Sequence, residues 1–123
     1  MKKENVIKVG IMSKEQYKKR TIAIAKGEYV PKEDEPKVWF ESLQSMSQIL
    51  SSQNQELLKV IIEKQPQSLK ELEVLTGRAK PNLSRTLKTL EQYGIVELEK
   101  INNALVPTVK ATRFSVEFGL DVA

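Results

Sequence analysis

Residues 6–12 read VIKVGIM, apolar at 6, 7, 9, 11 and 12, which predicts a short strand. Ser13 then offers an N-cap for a helix over KEQYKKRTIAIAKGEY, closed by Gly27. Such a helix places Tyr17, Ile22, Ala25 and Ala23 on one side, with Lys14, Lys18, Lys19 and Lys26 elsewhere. The stretch VPKEDEPK, residues 30–37, carries two prolines and a charge run, as a linker or exposed loop does. Trp39 and Phe40 follow and are expected to open an apolar helix over ESLQSMSQIL, with Leu43, Met46, Ile49 and Leu50 inward.

The second half is more sharply punctuated. Ser52 and Gln55 form an S-x-x-Q capping box ahead of a helix whose Leu57, Leu58, Ile61 and Ile62 recur at helical spacing. Pro66 ends it. Ser68 and Glu71 form a second box ahead of LKELEVLT, which Gly77 stops. Pro81 suits the first turn of the next helix, and Gly94 closes that one. IVELEKI then alternates, Asn102 and Asn103 supply a turn tolerant of positive φ, and ALVPTV returns. The tail RFSVEF alternates as a strand would.

Within the helix after Gly77, Leu83, Leu87 and Leu90 fall within about 60° of one another at 100° per residue, so they face a core. Arg85, Lys88 and Gln92 point the opposite way, flanked by Asn82, Ser84 and Thr89, with no carboxylate before Glu91. Long cationic donors beside short hydrogen-bonding groups match the chemistry of nucleic acid. Arg takes guanine bidentately, Asn or Gln takes adenine, and Lys, Ser and Thr suit phosphate oxygens. Arg78 and Lys80, in the preceding turn, are placed to meet the phosphate backbone as the helix enters the major groove. Taken alone, this is also what a solvated helix face looks like. The order of elements changes the balance: helix, capped short helix, Gly turn, polar helix, Gly, hairpin. The expected fold is therefore α+β and mainly helical, with a strand–helix arm and linker over residues 1–40 and a winged helix-turn-helix over 41–123.

Composition narrows the chemistry. The chain has no cysteine, which excludes disulfides and thiolate catalysis, and no histidine, the commonest metal ligand and general base. No paired-carboxylate spacing, nucleophile motif or Gly-rich phosphate loop appears, so no catalytic residue, metal site or cofactor is expected. The acidic run Glu33, Asp34, Glu35 has the composition of a metal site but not its spacing. A net charge of +4 and a pI near 9.3 favour an anionic partner. The start of the chain has lysines at 2 and 3 but no long apolar run, and no segment approaches a membrane span; a cytoplasmic location without membrane contact is expected.

Residues 52–109 resemble the winged-helix transcriptional regulators of the MarR type, most tellingly in NLSRTLKTLEQYGIVEL, where a recognition helix runs into the wing. The resemblance implies that Asn82, Ser84, Arg85 and Lys88 contact DNA. The whole chain, including KVWFESLQSMSQILS, also looks like small prokaryotic DNA-binding proteins, some of them antitoxin halves of toxin–antitoxin pairs. Two features depart from the regulators. Glu73 stands four residues before the turn Gly, where many such units have a small residue, so a looser contact between the two helices is expected. The hairpin sets Glu97 and Glu99 on one face with only Lys100 nearby, so the wing is expected to brace the fold or touch one phosphate rather than enter the minor groove.

The function expected is a sequence-specific regulator of double-stranded DNA, a repressor acting as a homodimer, because two-fold symmetry doubles the few base contacts of one helix. The alternative is an antitoxin or adaptor whose arm grips a toxin-like protein. For either association the expected interface is Val6, Val9, Ile11, Tyr17, Ile22, Trp39 and Phe40. The strands at the two ends are expected to pair, within one chain or across the two-fold axis. Trp39 and Phe40 also read as a core pair packing the arm on the rest. The lysines around Arg20 read as a second phosphate surface or, more simply, a solvated face.

Overall fold

The computed structural model describes residues 5–120, so Lys2 and Lys3, used in reading the start of the chain, lie outside the described residues. Strand β1 (Val6–Ile11) runs into helix α1 (Lys14–Ala25), where the Ser13 hydroxyl oxygen accepts the Gln16 N–H. The chain turns at Gly27, φ +75°, and returns to β2 (Val38–Phe40), which lies parallel to β1 with Trp39 opposite Gly10. Trp39 and Phe40 are thus strand residues, which corrects the helix expected to follow directly from them. Three residues are too few to carry a period, and the strand exists because β1 offers it a ladder. Helix α2 (Leu43–Ile49) begins only after Ser42, whose hydroxyl oxygen accepts the Ser45 N–H, and Leu43, expected inward, is exposed.

Gly10 is the small residue this packing requires. A Cβ there would run into the Trp39 ring and Pro36. The Arg20 guanidinium lies 5.2 Å from the Trp39 ring centroid and 5.7 Å from that of Tyr29, and pairs with Glu35 at 3.0 Å. This rotates α1 away from the expected orientation. Arg20, Ala23 and Ile24 are half-buried, whereas Tyr17, Ile22 and Ala25 stay exposed. It also takes Arg20 and Glu35 out of the phosphate-surface and metal-site readings, since each neutralises the other.

Helix α3 (Ser52–Lys64) is capped by Ser51, one residue before the serine expected. Ser51 accepts the Asn54 N–H, and the Asn54 and Gln55 amides donate back to the Ile49 and Leu50 carbonyls. With serines at both 51 and 52 the two registers look alike in sequence, and these back-bonds select the earlier one. Helix α4 (Leu69–Thr76) follows with Ser68 as its cap, Glu71 accepting the Gln67 N–H, and Gly77 at φ +73° ending it. Helix α5 (Lys80–Gln92) ends in paired reverse bonds, Ile95 N–H to Leu90 O and Gly94 N–H to Glu91 O, with Gly94 left-handed. Strands β3 (Val96–Ile101) and β4 (Ala104–Val109) form a hairpin across Asn102 and Asn103, both at positive φ.

The core draws Leu57, Leu58 and Ile61 from α3, Leu69 and Leu72 from α4, and Leu83, Leu87 and Leu90 from α5, closed by Ile95 and Val96. Strand β5 (Arg113–Glu117) leaves this unit and pairs parallel with β1, giving the sheet order β2-β1-β5. The two terminal strands therefore meet within one chain, and the sheet takes strands from both sides of residue 40. Phe40, fully buried, stacks on Tyr93 at the end of α5 with centroids 4.6 Å apart, joining sheet to helices. The architecture is α+β, with five helices and two small sheets among the described residues. Among those residues no helix is long and apolar enough to cross a membrane.

Candidate nucleic-acid interface

The polar face of α5 is positioned from its first turn. Ala79, the residue at the N-cap position, has no side chain able to cap. The Glu73 carboxylate supplies the missing acceptor from α4, taking the Lys80 N–H at 2.9 Å. The residue expected to loosen the contact between these helices therefore ties them together. Arg78 does the same from the turn. Its Nε donates to Asn82 Oδ1 at 2.9 Å and Nη2 to Thr86 Oγ1 at 3.1 Å, both on α5, while Nη1 reaches Asn54 Oδ1 on α3 at 3.4 Å. A planar fork spreads its donors over three nitrogens and reaches all three oxygens, whereas the three donors of an ammonium share one nitrogen.

These contacts reassign part of the expected surface. Arg78 is half-buried and holds oxygens of α3 and α5, so it positions α5. Asn82 is exposed but lends its carbonyl oxygen to Arg78. Thr89 is half-buried and donates its hydroxyl to the Arg85 carbonyl. Ser84 is also half-buried. Lys80, Arg85, Lys88 and Gln92 are exposed, and among the described residues the side chains of Arg85 and Lys88 make no ion pair or hydrogen bond. Opposite them Leu83, Leu87 and Leu90 are completely buried. Lys100 is exposed near the hairpin tip, away from the α5 cations in sequence, and Glu97 is held by Lys110 at 3.1 Å.

Sequence reasoning missed Asn54 and Thr86 as parts of this arrangement. The spacing of 78, 82 and 86 at intervals of four was the readable signal; the contribution of Asn54, 24 residues earlier, was not. Arg78→Ala should lower stability by about 1.5–3 kcal/mol, the range for hydrogen bonds to a charged group, and Arg78→Lys should recover little of it. Urea denaturation measures both. Full recovery by lysine would mean that charge rather than the fork matters.

The expected association residues are dispersed. Val9 and Phe40 are fully buried within their own chain, which corrects their assignment to an interface: both serve the core between sheet and helices. Ile11 and Trp39 are half-buried; Val6, Tyr17 and Ile22 are exposed.

The structure thus defines an α+β protein with a cationic helix face held in place by a carboxylate cap and an arginine clamp. The chain belongs to the HVO_A0114 family, whose model matches residues 49–116, more than half of its 123 residues. No curated protein and no solved structure matches the chain.

Proposed function

We propose that α3, α4, α5 and the β3–β4 hairpin act as a winged helix-turn-helix, and that the chain is a homodimeric, sequence-specific regulator of double-stranded DNA, acting as a repressor in the cytoplasm. The observation that carries this reading is the exposed Arg85 and Lys88, unpaired among the described residues, on the helix whose opposite face is wholly buried. A helix that only packs can carry such a face too, and the order of elements around α5 is what weighs for the DNA reading. In this reading the Arg85 guanidinium reads base edges, and the Lys80 and Lys88 ammonium groups meet phosphates. The short, acid-bearing hairpin serves as a brace. The resemblance to MarR-type regulators in NLSRTLKTLEQYGIVEL supports the same assignment.

Selection of bound fragments from genomic DNA, followed by anisotropy titration, tests it. Arg85→Ala should lose about 1–3 kcal/mol of specific binding with unchanged circular dichroism. Lys88→Ala should weaken all sequences alike and reduce the salt slope by about one unit. Unchanged operator affinity in Arg85→Ala would remove that residue from the reading surface. The antitoxin or adaptor reading draws on Tyr17 and Ile22, which remain exposed on α1. Co-purification with a small toxin-like protein, lost on Tyr17→Lys, would favour it.

A further inference from the structure

Among the described residues strand β5 is an outer strand, bonded to β1 on one side, and its Val116 is exposed, as is Phe118 just beyond it. An open strand edge with apolar side chains seeks another strand. The sequence of β5, Arg113-Phe114-Ser115-Val116-Glu117, is complementary to itself when read antiparallel about Ser115. Arg113 then meets Glu117, Phe114 meets Val116, and Ser115 meets its own copy. Every pair in that register is of a favourable kind: opposite charges, apolar with apolar, hydroxyl with hydroxyl. A shift of the axis by one residue breaks both charge pairs. A second copy is thus the occupant this edge fits.

We propose that β5 pairs antiparallel with β5 of a second copy about a two-fold axis through Ser115, joining two three-stranded sheets into one of six strands. Glu117 already lies 3.9 Å from Lys8 on the neighbouring strand, so its carboxylate is kept on the face where Arg113 of the second copy arrives. Phe114 and Val116, with Arg113 beside them, line a groove of about 700 Å³ with Met46, Leu50, Leu58 and Ile62. Val116 of the second copy, set beside Phe114, covers the rim of that groove. The inference rests on the homodimer part of the reading above. It is tested without DNA, so that its failure stays separate from any loss of DNA binding.

Sedimentation equilibrium of the full chain should show a reversible dimer. Arg113→Glu and Glu117→Arg, each alone, place like charges opposite one another at both symmetric positions and should weaken self-association by roughly tenfold or more. An equimolar mixture of the two variants restores opposite charges at every 113–117 contact and should dimerise as the unaltered chain does. Directly opposed antiparallel residues bring their Cα atoms within disulfide reach. The chain has no cysteine, so Ser115→Cys carries a single thiol. Oxidation with diamide should link it into a covalent dimer, while Lys70→Cys on α4 should not link. A monomeric unaltered chain would overturn both this interface and the homodimer. A dimer indifferent to the charge reversals and unlinked through Ser115→Cys would overturn this interface alone.

Discussion

Phe40→Ala is expected to cost about 3–5 kcal/mol of folding stability, the range for removing a fully buried phenylalanine. Phe40 is completely inaccessible, ends β2, and stacks on Tyr93 where α5 terminates. Its backbone carbonyl also accepts the Met12 N–H just past β1. Removing the ring leaves a cavity at the junction between sheet and helices, and the ladder around it cannot close onto a methyl group. Against a typical total of about 5–15 kcal/mol, that loss is a large share. Urea denaturation should show a lower midpoint in a single transition. Two separate transitions would mean that the sheet and the helical unit fold independently and that Phe40 couples them weakly.

Leu87→Ala should cost about 2–5 kcal/mol, for a different reason. Leu87 sits at the middle of α5, between Leu83 and Leu90, and all three are inaccessible. The cavity opens in the centre of the main core, where α3, α4 and the hairpin converge. The polar face of α5 is untouched by this change, so under the proposed function the fraction of protein that stays folded should bind DNA as the unaltered chain does. Comparing the denaturation midpoint with the affinity of the folded fraction separates the two roles of the helix. An affinity loss larger than the unfolded fraction explains would mean that the leucine stripe also sets the geometry of Arg85 and Lys88.

The two faces of α5 were legible in the sequence because a 3.6-residue period acts on residues close in the chain. The same holds for the caps at Ser13 and Ser68, the left-handed glycines at 77 and 94, and the Asn102–Asn103 turn, each a local rule with few competitors. Three things were not legible. The strand at residues 38–40 has no period of its own and exists through β1. The inward side of α1 follows Arg20, whose guanidinium is drawn to Trp39, Tyr29 and Glu35 by contacts that hydrophobic periodicity does not register. The role of Arg78 depends on Asn54, 24 residues earlier on α3. For the candidate surface this means that sequence picked out the cationic residues but could not tell a clamp from an exposed donor. Glu73 shows the same gap: its size was read as a defect, while its carboxylate supplies the cap that α5 otherwise lacks.

The central claim, that duplex DNA docks on the polar face of α5, is tested most directly by titrating the isotope-labelled full chain with a selected DNA duplex and following amide and side-chain resonances by nuclear magnetic resonance. The account predicts the largest shifts across α5 and its preceding turn, led by the Arg85 guanidinium and the Lys88 amide, with small changes in the β2-β1-β5 sheet. Shifts concentrated on α1 or the sheet, with α5 unmoved, would contradict it.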